Sequence, residues 1–169
     1  MSEIRRATPD DAEEIARLRR IMFAAMRGRD EPGPWEKEAV RIARQQLAQP
    51  NSPLLAFVVD GEGPGLPAHL AACAVGRVEE RLPAPASPHG LFGFIFNVCT
   101  DERYRGRGYA RATTAALLDE FARSGVTRVD LHATPEAEAM YRSMGFAEHS
   151  IPLSLDVSTL EAAAPHSGS

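Results

Sequence analysis

The stretch that most constrains this chain is residues 91–133, where an apolar run gives way to a glycine-broken loop, a helical pattern and a second β-rich run. A strand, a helix and a second strand within so few residues predict a right-handed crossover that lays the two strands parallel. The loop, Arg105-Gly106-Arg107-Gly108-Tyr109-Ala110, then falls at the carboxyl end of the first strand. Its glycines let the backbone turn tightly and approach a ligand. The helix that follows offers unpaired N–H groups and the positive end of its dipole. With arginines interleaved, the stretch reads as a phosphate-binding loop; a solvated turn is the plain alternative.

The rest of the chain falls into elements around this unit. Residues 3–6 read as an opening strand. Thr8-Pro9-Asp10-Asp11 then supplies a cap, a proline at the first helical position and acids in the first turn. Ile15, Leu18, Met22 and Ala25 recur at helical spacing, with Glu13, Arg17 and Arg20 expected to turn outward. Residues 28–34 break this helix, and 35–49 form a second one, stopped by Pro50 and Pro53. Residues 54–60 and 69–80 read as two strands joined by a glycine- and proline-rich hairpin loop, and 81–90 as an exposed connection. After the strand at 91–100, a helix over 108–123 ends at Ser124-Gly125, and a strand follows over 126–133. Thr134 caps a last short helix that carries Tyr141 and Met144, and 146–149 and 151–157 are expected as closing antiparallel strands. The expectation is one domain over residues 3–157, with a frayed tail over 158–169.

Bulk numbers narrow the function. A chain of 169 residues that is 44% hydrophobic and 25% charged can bury one sizeable core. Its net charge of −4 argues against a general nucleic-acid binder. Cys73 and Cys99 sit in apolar runs and read as reduced, buried thiols, which points to the cytoplasm. No apolar run approaches the roughly 20 residues needed to span a bilayer. The histidines lack ligand spacing, so no metal is expected.

Competing readings of the loop fail on particular residues. No Lys-Ser or Lys-Thr follows the second glycine, which excludes the Walker pattern. A dinucleotide fingerprint needs a third glycine where Arg111 stands, and an acid at a strand end, whereas Asp130 lies mid-strand. Arg105-x-x-Gly108-x-Ala110, Asn97-Val98-Cys99-Thr100 upstream and Tyr141-Arg142-Ser143-Met144-Gly145-Phe146 downstream are a closer match. In these motifs the chain resembles the GNAT superfamily of acyl-CoA-dependent N-acyltransferases, closely over residues 91–150 and only in element order over the first 60.

The resemblance implies an α/β (α+β) fold: a mixed, twisted central sheet of six to seven strands flanked by about four helices. It implies acetyl-CoA as co-substrate, a small-molecule or peptide amine as acceptor, and no metal, nucleic acid or membrane partner. A homodimer is a weaker expectation from the same source. The backbone of Arg105, Gly106, Arg107, Gly108, Tyr109 and Ala110 would take the pyrophosphate, with Arg105 and Arg107 as side-chain partners. Pantetheine would lie in the gap between the parallel strands, bonded to Val98 and Thr100, and the Val98 amide would serve as oxyanion donor. Tyr141 matches the general acid that protonates the departing thiolate, a role a phenol with a pKa near 10 fits at pH 7.

Several alternatives stand beside these assignments. Tyr141 also fits a buried core tyrosine, and Thr134, where an asparagine is usual, fits either a cofactor contact or a helix cap. The attacking amine needs a base, for which Glu79, Glu80 and Asp101 qualify by location only. Asp30, Glu31 and Glu36 are placed to draw in a cationic amine, or simply to face solvent. Cys99 reads as a small strand residue rather than a nucleophile. A non-catalytic acyl-CoA sensor or docking module is the rival function, and a nucleic-acid site on Arg103, Arg105, Arg107 and Arg111 a second.

Overall fold

Strand β2 (Leu54–Asp60) buries six consecutive residues, because helices cover both faces of the sheet to which it belongs. A computed structural model describes residues 3–160. Its sheet runs β1 (Ile4–Arg6), β2, β3 (Leu70–Glu80), β4 (Leu91–Thr100), β5 (Arg128–Leu131) in that spatial order. Neighbours are antiparallel except β4 and β5, which are parallel. Helices α1 (Ala12–Arg27) and α2 (Pro34–Leu47) precede the hairpin, α3 (Tyr109–Arg123) makes the crossover, and α4 (Pro135–Ser143) follows β5. This is the expected mixed α/β architecture, with five strands rather than six or seven.

Alternation along the strands divides the core into two layers. Leu54, Ala56, Val58, Cys73 and Val75 join Ile15 and Leu18 of α1 on one face. Leu55, Phe57, Ala74 and Ile95 meet Leu117 and Phe121 of α3 on the other. Near the middle of β4 the alternation slips. Val75 pairs with Asn97 while Gly76 pairs with Ile95, leaving Phe96 as the extra residue of a β-bulge. Phe96 and Asn97 therefore both face α1, where Asn97 is buried, donates to the Cys73 sulfur at 3.4 Å and accepts from Arg19 at 3.0 Å. Val98 returns to the α3 side.

Three expectations are corrected. Residues 146–149 and 151–157 form no strand: after Phe146 no ladder takes up their main-chain groups, and a strand exists only where a neighbour does so. The strand expected over 126–133 shortens to four residues, since its pairing with β4 ends at Ile95 and Leu131. Pro9–Asp11 forms a separate 3-10 turn before α1, held by the Asp11 carboxylate, which accepts from the Thr8 amide at 2.7 Å. Arg5 on one side and Thr8 on the other keep Asp11 ionised below the usual carboxylate range, against the opposing pull of its burial. Most of the predicted tail, residues 161–169, lies outside the described residues.

Candidate active site

Pairing of β4 with β5 stops at Ile95, but pairing of β4 with β3 continues to Thr100. The second half of β4 thus has an open edge. Which main-chain groups face it follows from the ladder. The Asp101 amide donates to the Ala71 carbonyl at 2.8 Å, and hydrogen-bonded pairs alternate along an antiparallel ladder. Asn97 and Cys99 therefore turn their amides to β3, and Val98 and Thr100 turn theirs to the open edge.

This edge runs into the glycine loop. Gly106 and Gly108 adopt φ of 77° and 80°, the left-handed region that favours glycine, and space for a side chain is open at both. Gly108 is the N-cap of α3, and the Ala112 amide is the first to find a helical partner, the Gly108 carbonyl at 3.0 Å. Among the described residues the amides from Gly106 to Arg111 have no acceptor. The four arginines of this region are not equivalent. Arg103 is paired with Asp101, Arg107 lies 5.1 Å over the Tyr104 ring, and Arg111 bonds to Ser143 of α4. The Arg105 side chain has no such partner among the described residues and borders a cavity of about 840 Å³ between the loop and α1. A second cavity, about 680 Å³, lies at the other end of β4, around Glu80, Leu91 and Glu120, away from this machinery.

Two buried residues fix the loop, and neither was singled out for that role by the sequence. Asp101 accepts from the Arg103 amide and side chain and from Arg17 of α1 at 2.8 Å. Arg103 first, and then Arg17, hold its carboxyl far below the usual carboxylate range against desolvation. Both of its carboxylate oxygens accept from Arg103 or Arg17, so Asp101 holds the loop rather than presenting a free oxygen to an amine. The Tyr104 hydroxyl bonds to the main chain of Glu62 (2.7 and 2.9 Å) and to the His69 ring (2.6 Å), tying the loop to the β2–β3 hairpin. Arg17, expected to face solvent, instead spans Glu14, Asp101 and the Leu70 carbonyl. No such tie was visible because helical spacing alone does not show what lies across from a face.

Helix α4 leaves the end of β5 and returns beside the first turn of α3, where Arg111 meets Ser143. Two residues earlier, Tyr141 is buried, its ring edge-on to Phe146 at 5.7 Å. Burial raises its pKa above the ordinary value. Its hydroxyl has no hydrogen-bond partner among the described residues. Thr134 occupies the N-cap position of α4, but its hydroxyl caps nothing, which corrects the reading of that side chain as a cap. A family model described as the acetyltransferase (GNAT) family matches residues 17–146. The chain belongs to that family.

Solved structures of similar fold agree. A predicted acetyltransferase from Clostridium acetobutylicum, solved with acetyl-CoA, superposes with a TM-score of 0.79 at 22% identity over 96% of this chain and 100% of its own. A GCN5-related N-acetyltransferase from Ralstonia eutropha JMP134 gives 0.68 at 28% identity, over 90% and 99%. Glucosamine-6-phosphate N-acetyltransferase from Arabidopsis thaliana gives 0.70 at 20%, over 92% and 98%. No curated protein sequence matches the chain. Among the described residues of this GNAT chain no helix is long and apolar enough to cross a membrane.

The remaining candidates separate on their partners. Asp30 and Glu36 are both taken by Arg20, and Glu31 by Arg29 and Arg27. They are thus neutralised rather than presented to a cationic amine. Glu79 is paired with Arg81, and Glu80 is exposed at the end of β3 remote from the loop. Cys73 and Cys99 are free and buried, with thiols pushed up to about 12 and about 11 by desolvation. A thiol so rarely ionised is a poor nucleophile.

Proposed function

We propose that this chain transfers acetyl from acetyl-CoA to a primary amine by direct attack in a ternary complex. The observation that carries the reading is the continuity of unpaired main-chain donors, from the open edge of β4 at Val98 and Thr100 into the loop at Gly106 to Arg111. The donor set fits the co-substrate: helix-terminal amides with Arg105 and Arg107 for the pyrophosphate, with Tyr109 and Ala110 opening the helix, and strand amides for pantetheine. Thr134, whose hydroxyl has no capping duty, stands at the turn after β5 as a further contact.

Acetyl-CoA supplies the acyl group as a thioester. The Val98 amide donates to the carbonyl oxygen as negative charge develops there, a contribution often worth about 3 kcal/mol. Tyr141, kept protonated by its raised pKa, gives its proton to the departing sulfur. The neutral amine, its ammonium proton already lost to water, adds to the carbonyl carbon; the C–S bond then breaks as Tyr141 protonates the sulfur, and the proton shed by the new amide nitrogen returns to Tyr141 through water, yielding an amide and the CoA thiol. An alkylammonium is neutral in less than about one part in a thousand at pH 7, so the rate should climb with pH until the amine is neutral. The test is release of free thiol from acetyl-CoA in the presence of a panel of amines. Amine-dependent release supports the reading, whereas binding of acetyl-CoA with no transfer to any amine would make the chain a sensor or docking module.

A further inference from the structure

Helix α1 carries four arginines on its inner and flanking faces, and three have acids. Arg17 has Glu14 and Asp101, Arg20 has Asp30 and Glu36, and Arg27 has Glu31 at 3.6 Å. Arg19 has none among the described residues. It is half-buried, lies over the rings of Phe23 (4.8 Å) and Phe96 (5.8 Å), and spends one N–H on Asn97. Its remaining donors have no acceptor among the described residues. Desolvation lowers its pKa, as expected of a cation without a counter-charge. Asn97 directly precedes Val98, so this guanidinium is held beside the open edge, on the sheet face opposite α3. The surround is aromatic, with Trp35 edge-on to Phe23 at 6.0 Å and Phe94 stacked near Phe96.

A desolvated guanidinium with a free fork between ring faces receives a planar oxyanion in its own plane. We infer that the acceptor amine carries a carboxylate, and that Arg19 binds it. An α-amino acid with an apolar side chain has the right parts: an amine for the thioester, a carboxylate for Arg19 and a body for the aromatic walls. The inference rests on the transferase reading. It is tested with matched pairs, phenylalanine against phenylalaninamide, and an amino-sugar phosphate against its parent amino sugar. The wild type should favour the carboxylate by about ten- to a hundredfold in kcat/KM, and Arg19→Gln should abolish that ratio. Titration of phenylalanine and its amide without acetyl-CoA reads the same preference as binding, so it decides the matter even if no transfer occurs. No carboxylate preference in the wild type, a stronger preference for the phosphate, or an Arg19→Gln variant that weakens both partners of a pair equally would overturn it.

Discussion

Against α3 the sheet presents an apolar layer of Leu55, Phe57, Ala74 and Ile95, whereas against α1 it accommodates Asn97, Asp101 and the arms of Arg17 and Arg19. Both faces are covered by helices, but among the described residues the buried polar groups of α3 are the hydroxyls of Thr113 and Thr114, whereas the α1 side takes in the amide of Asn97 and the carboxylate of Asp101. The bulge at Phe96 is the cause, because it turns Asn97 toward α1 where strict alternation would have placed it under α3. On the α3 face, packing sets stability. On the α1 face and along the β4 edge, fixed polar groups leave donors without acceptors among the described residues, which the proposed function assigns to acetyl-CoA and the amine.

That contrast breaks most sharply at Phe121. Phe121→Ala should cost about 3–5 kcal/mol, lowering Tm by about 10 °C while leaving the acetyl-CoA affinity of the folded protein intact; a loss under about 1 kcal/mol in chemical denaturation would show the layer is not the main support. Tyr141→Phe should do the reverse, with an unchanged Tm and a kcat about a hundredfold lower. Since burial raises the Tyr141 pKa above its usual value near 10, a pH profile of the wild type should show no alkaline fall from this group below that value. If kcat survives the substitution, the general-acid role is wrong.

Asp101 joins the two regions and should show an intermediate effect. Its carboxyl is depressed in the folded state, so its stabilisation is fully present above the unfolded value of about 3.9 and declines as pH falls below it toward the folded value. Asp101→Asn should cost about 1–3 kcal/mol near neutrality and flatten the acid limb of stability, read by urea unfolding between about pH 3 and 6. An unaltered acid limb would show that the Arg17 and Arg103 contacts contribute nothing. The smallest effect belongs to the exposed Glu38–Arg41 pair on α2, where Glu38→Ala should leave Tm and affinity unmoved.

The parts of this protein written in local pattern were legible in its sequence. The strand, glycine loop and helix of the crossover each carry their own periodicity or backbone demand, so β4, the loop and α3 appear where expected. The placing of Tyr141 on a short last helix beside Phe146 was legible through its spacing to Gly145 and Phe146. What depends on a partner across space was not. Alternation over 151–157 fits a strand, but among the described residues no neighbouring strand takes up its main-chain groups. Helical spacing places Arg17 and Arg19 on different sides of α1 but names no partner for either, and only the fold reveals that one meets Asp101 and the other, among the described residues, meets no acid. The bulge was equally hidden, since β4 reads as an unbroken apolar run until its register against β3 is known.

The account turns on the loop and the β4 edge binding one ligand together. Isothermal titration of the purified chain with acetyl-CoA tests this most directly, repeated on an Arg105→Glu, Gly108→Glu double variant shown to be folded by circular dichroism. Saturable binding at a Kd of about 1–100 μM, abolished in the variant, is the predicted result. A folded wild type that binds nothing, or a folded variant that binds as tightly as the wild type, would contradict it.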